Sequence, residues 1–283
     1  MTILVFGRTG QVATELQRDP AVVALGRDLA DLTDPQVCAA VIHAHAPRAV
    51  INAAAYTAVD HSEENEVLAT IINGDAPAAM AGACAKRDIP FVHISTDYVF
   101  DGTGVAAWKP EDMTLPQNAY GRSKLAGEVG VSAAGGRYAI LRTSWVFSAH
   151  SANFVKTMLR LSETRDSFGV VADQIGGPTP ARAISDACLV MADHLENKAS
   201  KAGTYHFSGA PDVSWQGFAT EIFAKANRKV ALQPIQTIDY PTPAVRPSNS
   251  RLDCTSTEQV FGLTRPDWRN ALTDVLNELE FQQ

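Results

Sequence analysis

Short apolar segments alternate with longer stretches of helical composition along the first two thirds of the chain. This alternation is typical of parallel strands whose crossover helices cover both faces of one sheet. We expect strands at residues 2–6, 21–25, 49–51, 90–95 and 137–143, and helices at residues 14–18, 34–46, 66–87 and from about residue 119. The pattern predicts a Rossmann-type, doubly wound parallel sheet.

The alternation is less regular after residue 150. We expect helices at 153–163 and 181–195 and a short strand at 169–172, while segments 213–226, 230–238 and 268–279 build a small second layer. We therefore predict a dinucleotide-binding domain of residues 1–150 and a smaller, mainly substrate-binding domain of residues 151–283. Segments near 181–208 are expected to return to the Rossmann sheet.

Composition and charge narrow the class of protein. The 283 residues are 46% hydrophobic and 19% charged, as in ordinary globular enzymes. The formal charge of -7 argues against a nucleic-acid partner, because such binding depends on clustered Lys and Arg that neutralise phosphates. A local basic group can still bind a small anionic ligand.

The cysteines and the apolar runs indicate a compartment. Cys38, Cys84, Cys188 and Cys254 form no close pair, which favours free thiols in a reducing environment. The first apolar run is too short for a signal peptide, and we expect no apolar stretch near the ~20 residues of a membrane span. The sequence therefore predicts a cytoplasmic protein without a membrane partner.

A glycine motif follows the first strand. Gly7 and Gly10 are spaced as Gly-x-x-Gly-x-x-Ala, with Gln11 and Val12 next and Ala13 at the third small position. A strand, a glycine turn and a helix amino terminus in this order can hold a dinucleotide pyrophosphate, although a plain tight turn needs the same first glycine.

An arginine follows the second strand, where the adenosine ribose lies in such folds. Arg27 can pair with a 2′-phosphate, which favours NADPH over NADH, although NADH stays possible. A surface arginine without this role fits the same observation.

Tyr120 and Lys124 stand four residues apart in one expected helix. Residues at this spacing share a helix face, so the ammonium can lie beside the phenol and help it to exchange a proton. With the Thr96 hydroxyl at the end of an apolar strand, the pattern indicates a general acid. The spacing also suits a solvated lysine above a packed tyrosine.

Taken in order, these motifs make the chain similar to the extended short-chain dehydrogenase/reductases and, within them, to the dTDP-4-dehydrorhamnose reductase family. The resemblance rests on seven blocks: 6–12 (FGRTGQV), 52–60 (NAAAYTAVD), 95–102 (STDYVFDG), 120–128 (YGRSKLAGE), 142–147 (RTSWVF), 153–158 (NFVKTM) and 246–252 (RPSNSRL). Seven blocks in one order are far more specific than any single motif.

The resemblance implies a reaction. Hydride would pass from NADPH to the 4-keto carbon of dTDP-4-dehydro-L-rhamnose, a dTDP-linked 4-keto-6-deoxy sugar, giving dTDP-L-rhamnose. Tyr120 would protonate the forming alkoxide, Lys124 would lower the pKa of Tyr120 and hold the nicotinamide ribose, and Thr96 would bond the reacting oxygen.

The resemblance also implies binding residues by position. The cofactor would contact Gly7, Gly10, Gln11, Val12, Arg27, Asp31, Leu32, Ala55, Tyr56, Thr57, Tyr120 and Lys124. The substrate would contact Thr96, Asp97, Tyr120, Trp145, Arg246 and Arg251. Trp145 also suits a plain core position, and we expect one of the two arginines to be structural only.

Some relatives of this kind join subunits through magnesium held by glutamates. Glu15 and Glu278 fit that pattern, but Arg182 stands where a further glutamate is expected, and a cation there repels a metal. We therefore expect no metal centre and a monomer or weak homodimer.

Two further functions fit the same motifs. One is another nucleotide-sugar 4-ketoreductase or an epimerase, although the sequence places no additional acid–base residues for epimerisation. The other is a non-catalytic, nucleotide-binding regulatory subunit, which has no need of Thr96, Tyr120 and Lys124 together.

Overall fold

The computed structural model describes residues 2–197 and 201–281. Its strands are β1 (Ile3–Phe6), β2 (Val22–Leu25), β3 (Ala49–Asn52), β4 (Phe91–Thr96), β5 (Tyr138–Thr143), β6 (Val146–Phe147), β7 (Ser167–Val171), β8 (Ile175–Gly176), β9 (Thr179–Pro180), β10 (Gly203–His206), β11 (Val213–Ser214), β12 (Ala231–Ile235) and β13 (Asn249–Ser250).

The helices alternate with these strands. They are α1 (Gln11–Leu16), α2 (Pro35–His45), α3 (Val59–Ser62), α4 (Glu66–Thr70), α5 (Ala76–Ala85), α6 (Ala119–Ala134), α7 (Phe154–Ser162), α8 (Ala181–Asn197), α9 (Trp215–Lys225), α10 (Thr255–Phe261) and α11 (Trp268–Phe281). A π-helical turn, Ile71–Asp75, joins α4 to α5.

Six parallel strands form the central sheet in the order β10-β5-β4-β3-β1-β2. The predicted Rossmann-type, doubly wound fold is therefore confirmed. The chain runs from β1 outward to β2 and then returns to β3 on the other side of β1. The β1/β3 boundary is thus the point where the strand order reverses, which is where open α/β sheets bind ligands.

Each face of the sheet is covered by helices. Ile3 and Val5 point into a core shared with α1 and α8, whereas Leu4 and Phe6 point into a core shared with α2 and α5. Because both faces are buried, the strands read as continuous apolar runs rather than alternating ones.

A third core lies outside the main sheet. Helices α7, α9 and α11 surround Phe147, Phe218 and Trp268, and β7 pairs with β12 beside them. In contrast, α8 packs against the main sheet, and β10 extends that sheet by pairing with β5. The division at residue 150 stays a prediction.

One helical run has the length and composition of a membrane span. Glu66–Ala85 covers 20 residues with a mean hydropathy of 1.2, so the expectation that no apolar stretch approaches this length is wrong. Half of the run is buried inside the fold, where Met80 and Cys84 join the core between sheet and helices. Core helices meet the same criterion, so length and composition are weak evidence for a span.

A buried ion pair ties α6 to β5. The Arg142 guanidinium donates to both carboxylate oxygens of Glu128, at 2.7 Å from Nη2 to Oε2 and 2.9 Å from Nε to Oε1, and Ser95 Oγ donates to the same Oε1 at 2.5 Å. Both charged side chains are about 5% exposed. In such a pair, the loss of one partner leaves an uncompensated buried charge.

We expect Glu128→Gln to destabilise the fold by about 3–5 kcal/mol, because Arg142 would stay buried without a counter-charge. Glu66→Gln is the matched control, since Glu66 forms a similar two-point pair with Arg122 in solvent and its loss should cost about 1 kcal/mol or less. Urea denaturation measures both variants. Equal losses in the two would contradict the assigned role of burial.

Candidate active site

A cavity of about 1070 Å³ opens at the carboxyl ends of the central strands. Its lining includes these residues that the sequence predicts for cofactor or catalysis: Gly7, Gly10, Gln11, Val12, Arg27, Asp31, Leu32, Ala55, Tyr56, Thr57, Thr96, Tyr120 and Lys124. Asp97 and Trp145, predicted for the substrate, line it as well. Residues far apart in the sequence meet here because parallel strands end at one edge of the sheet.

The glycine turn packs closely against the end of β3. Gly7 has φ +111°, and a Cβ there would lie 3.2 Å from the backbone carbonyl of Ala53, so only glycine fits without strain. Gly10 begins α1 without a side-chain cap, which leaves the first N–H groups of the helix at the cavity. The structure thus offers backbone donors beside the turn.

Gln11 fixes the turn to the other side of the cavity. Its amide oxygen accepts hydrogen bonds from Ser148 Oγ at 2.9 Å and from Asn153 Nδ2 at 3.1 Å, and its Nε2 donates to the Val146 carbonyl at 3.3 Å. The glycine loop and segment 146–153 therefore form one wall.

Two arginines flank the end of β2. Arg27 Nε lies 3.1 Å from Asp31 Oδ2, and Arg8 Nη1 lies 4.0 Å from Asp28 Oδ2. Hydrogen bonds from Thr33 are the main reason that the pKa of Asp31 is lowered, with Arg27 contributing. Arg8 lines the cavity as well, and sequence reasoning missed it although it stands inside the glycine motif.

Close packing places Tyr120. Asn118 caps α6 by accepting a hydrogen bond from Gly121 N at 2.7 Å, and a Cβ on Gly121 would lie 2.2 Å from the Tyr98 carbonyl oxygen. Glycine at 121 thus lets the first turn of α6 rest on the turn that follows β4. The rings of Tyr120 and Tyr98 meet edge to face, with centroids 5.5 Å apart.

The Tyr120 phenol is fully protonated at neutral pH. Burial raises its pKa, the Asp97 carboxylate raises it further, and a hydrogen bond with Thr96 acts in the opposite direction. The expected lowering of this pKa by Lys124 is therefore not the dominant effect in this structure. The physical reason is desolvation, which disfavours the phenolate more strongly than its neighbours stabilise it.

Lys124 is only 2% exposed. Its Nζ donates to the Ile94 carbonyl at 2.7 Å and lies 3.3 Å from His93 Nε2. Burial lowers the pKa of Lys124 to about 8, while the negative charge of Glu128 acts in the opposite direction. This amine can therefore change its protonation state near neutral pH.

Asp97 directly follows the last residue of β4, and its side chain is buried. Burial raises its pKa to about 6, although Ser250 and Thr96 favour the charged form. Thr96 Oγ1 donates to Asp97 Oδ1 at 3.1 Å, whereas Asp97 Oδ2 has no hydrogen-bond partner. Thr143 Oγ1, which also faces the cavity lining, is buried without a partner. Unpaired polar atoms of this kind suit a polar ligand.

Two tryptophans stack at the end of the cavity. Trp145 has φ +51°, which is rare for a bulky residue, and its ring lies parallel to that of Trp215 with centroids 3.6 Å apart. Trp215 Nε1 donates to Gln174 Oε1 at 3.1 Å. Sequence reasoning found Trp145 but missed Trp215, because no local motif marks it.

The two arginines predicted to contact the substrate do not line this cavity. Arg246 Nη2 pairs with Asp60 Oδ2 at 2.8 Å, and Arg251 Nη1 donates to Asn249 Oδ1 at 2.9 Å. In this conformation both guanidinium groups are engaged within the protein, so their role in binding stays a prediction.

An acidic cluster lies away from the cavity lining. Glu15, His150 and Glu278 place one potential metal-ligand atom each within 4.8 Å of one another. Arg18 Nε lies 2.8 Å and Arg182 Nη1 3.8 Å from Glu15 Oε2, so two cations already face this carboxylate. The structure thus places His150 and Arg18 beside the predicted residues Glu15, Glu278 and Arg182. The positive charge of Arg182 opposes the binding of a metal ion here.

Asp97→Asn should stabilise the fold by about 3 kcal/mol at pH 7.5, because one pKa unit corresponds to about 1.4 kcal/mol. The folded-state pKa near 6 exceeds the ordinary value of 3.8, so the native state loses stability as the pH rises from about 4 to 6 and the loss is complete above pH 6. The difference should be small at pH 4 and vanish at lower pH, where the carboxyl group is protonated in both the folded and the unfolded protein. Urea denaturation at pH 4 and 7.5 tests this, and equal stability of the two proteins at both pH values would contradict it.

The sequence matches known proteins along almost its whole length. Residues 1–281 match the family model described as RmlD substrate binding domain. A dTDP-4-dehydrorhamnose reductase of Burkholderia thailandensis is 44% identical over 96% of this chain and 97% of its own.

Two solved structures agree with the fold. A dTDP-4-dehydrorhamnose reductase of Clostridium acetobutylicum has a TM-score of 0.93 at 35% identity, covering 99% of this chain and 100% of its own. The enzyme of the same name from Bacillus anthracis, solved in complex with NADP, has a TM-score of 0.90 at 34% identity, covering 98% and 100%. The predicted resemblance is therefore confirmed, and the chain belongs to the RmlD family, that of the dTDP-4-dehydrorhamnose reductases.

Proposed function

We propose that the protein reduces the 4-keto group of dTDP-4-dehydro-L-rhamnose with NADPH and releases dTDP-L-rhamnose. The observation that carries the proposal is the meeting of Thr96, Tyr120 and Lys124 in one cavity with the glycine turn. A binding module without catalysis has no need of a phenol beside a hydroxyl and an amine.

The residues present fit a dinucleotide. The close Gly7 turn and the uncapped start of α1 leave room and N–H donors for a pyrophosphate. Arg8 and Arg27 supply positive charge where the 2′-phosphate of NADPH would lie. The bound cofactor supplies the hydride, and the protein supplies its placement.

Asn73 supports the loop of residues 55–57, which lines the cavity. Its side chain accepts from Tyr56 N at 2.8 Å, donates to Tyr56 O at 3.0 Å and donates to Ser123 Oγ at 2.9 Å. The loop of Ala55, Tyr56 and Thr57 is thereby tied to α6. A ligand contacting this loop is positioned relative to Tyr120.

The far end of the cavity suits a sugar. Asp97 and Thr143 offer polar atoms without partners, and Trp145 and Trp215 offer flat apolar surfaces. Hydroxyl groups and ring faces of a sugar match these two kinds of surface.

Side chains of the protein then supply the proton for the reduction. Because its pKa is raised, Tyr120 carries a proton at neutral pH and can give it to the ketone oxygen as that oxygen gains negative charge. The Thr96 hydroxyl, hydrogen-bonded with Tyr120, directs the same oxygen.

We further infer that the protein acts in the cytoplasm as a monomer or weak homodimer, and that its 1–150 and 151–283 parts bind mainly cofactor and substrate, respectively. The four buried free thiols and the acidic charge support the compartment and the lack of a nucleic-acid partner.

Purified protein should oxidise NADPH when a dTDP-linked 4-keto-6-deoxy sugar is added. Tyr120→Phe should lower kcat about 10²–10⁴-fold, because the proton donor is lost, while NADPH still binds. Tyr138→Phe is the matched control, since that phenol pairs with Ser132 outside the cavity lining. Absorbance at the nicotinamide band and fluorescence titration give the two readouts.

The same assay separates the other functions. Turnover only with UDP- or GDP-linked 4-keto sugars would replace the dTDP substrate by another nucleotide sugar. NADPH binding without turnover on any of the three would favour a regulatory subunit and overturn the proposal.

Arg8→Ala and Arg27→Ala should each raise KM for NADPH about tenfold and leave KM for NADH nearly unchanged, because only NADPH carries a 2′-phosphate. Arg228→Ala, an exposed arginine outside the cavity lining, serves as control. Steady-state kinetics with both cofactors measure the ratio. Parallel increases for NADPH and NADH would remove these arginines from 2′-phosphate recognition.

A further inference from the structure

A buried histidine lies behind the catalytic lysine. His93, on β4, is 0% exposed, and its Nε2 lies 3.3 Å from Lys124 Nζ. Its other ring nitrogen, Nδ1, lies 3.1 Å from Nδ2 of Asn52, which stands directly opposite on β3. The three side chains form a row that ends at the cavity.

The orientation of Asn52 determines the tautomer of His93. Asn52 Oδ1 accepts from Ala54 N at 3.2 Å, so the Nδ2 group is the one that faces His93. Nδ2 is a donor, and Nδ1 of His93 must therefore accept. Burial and the nearby Lys124 charge keep the pKa of His93 well below its ordinary value, so the ring is neutral and its proton is on Nε2.

This tautomer aims an N–H group at Lys124. An ammonium has no lone pair, so the Nε2–H can donate to Lys124 Nζ only when Lys124 is a neutral amine. The amine keeps two hydrogens of its own, one of which donates to the Ile94 carbonyl. The opposite arrangement, with Lys124 donating to Nε2, would turn the Asn52 amide and set its NH₂ against the Ala54 N–H.

We propose that His93 is a positioning residue that stabilises the neutral amine of Lys124 through its Nε2–H, so that Lys124 can release a proton during turnover. This inference rests on the proposed function, in which Tyr120 must regain the proton that it gives to the substrate. The exchange balances as Lys124 ammonium plus Tyr120 phenolate giving Lys124 amine plus Tyr120 phenol.

The other charged and titratable groups near Lys124 are few among the described residues. Glu128, one turn along α6, favours the ammonium, but it is paired with Arg142. Tyr120 is protonated and neutral, and the charge of Asp97 raises the pKa of that phenol. The lowered pKa of Lys124 agrees with the donor assigned to His93 and has burial as its first cause.

The tautomer is measured directly in the wild-type protein. In two-bond ¹H–¹⁵N spectra of ¹⁵N-histidine-labelled protein, we expect His93 to show the neutral Nε2–H pattern from pH 6 to 9. An Nδ1–H pattern would overturn the proposal. This measurement needs no variant, no cofactor and no substrate.

The second measurement follows the pKa of Lys124 by ¹³Cε shifts in lysine-labelled protein, with the signal assigned by its loss in Lys124→Met. His93→Leu should raise this pKa by about 0.5–1, the worth of one hydrogen bond to the amine. Lys156, whose Nζ donates to the Ala149 carbonyl at 3.0 Å, is the internal control and should not change.

Asn52→Asp should reverse the direction of the hydrogen bonds between residue 52, His93 and Lys124 while keeping all three side chains in contact. One carboxylate oxygen can still accept from Ala54 N, while the other accepts a hydrogen bond from Nδ1–H of His93, so Nε2 becomes an acceptor for the ammonium. We expect the pKa of Lys124 to rise more than in His93→Leu. An unchanged Lys124 pKa in both variants would overturn the proposal.

The pH dependence of the steady-state kinetics tests whether Asn52 and His93 affect turnover through Lys124. The alkaline limb of kcat/KM, which reports groups of the free enzyme, should move to higher pH by the shift measured for Lys124. A loss of rate without that displacement would indicate a structural role only and contradict the proposal. Failure of the proposed function would instead appear as absent turnover with the tautomer and pKa results intact.

Discussion

The close approach of α6 to the turn after β4 is the constraint on which the site depends. A Cβ at Gly121 would stand 2.2 Å from the Tyr98 carbonyl oxygen, and one at Gly127 would stand 2.1 Å from the Asn73 carbonyl oxygen. These contacts fix α6 at two levels, one beside Thr96 and one beside the loop that Asn73 supports. Tyr120 and Lys124 therefore keep their positions without help from a ligand, which is the pre-organisation that proton transfer requires.

Burial shifts the pKa values of Tyr120 and Lys124 in opposite directions, with the same result for both groups. It raises the pKa of Tyr120 and lowers that of Lys124, so the low-dielectric site favours the uncharged form of both. A neutral phenol is a proton donor, and an amine poised near neutrality can accept or return a proton. The usual picture, in which an ammonium makes a phenol acidic, therefore does not describe this arrangement before a ligand adds its own groups.

The sequence predicts the fold and most of the cavity because both depend on local patterns. Apolar runs mark the strands of the sheet, and the carboxyl ends of those strands place Gly10, Thr57 and Thr96 at one edge. Trp215 and His93 carry no such local signal. His93 looks like an ordinary core residue until the register of β3 and β4 sets it opposite Asn52. The ion pair of Arg246 with Asp60 is likewise a product of tertiary packing between distant segments.

Several residues at this edge of the sheet have features that lower the stability of the fold. Among residues 2–197 and 201–281, Asp97 has an oxygen without a hydrogen-bond partner, Trp145 has a positive φ, and Lys124 is buried without a salt bridge. Each feature costs free energy in the folded protein. In contrast, Glu128 and Arg142 are paired through hydrogen bonds to both carboxylate oxygens, and Ser95 adds a further bond. A paired charge network thus supports a site whose own polar groups remain available, which is the distribution expected when their partners belong to a ligand.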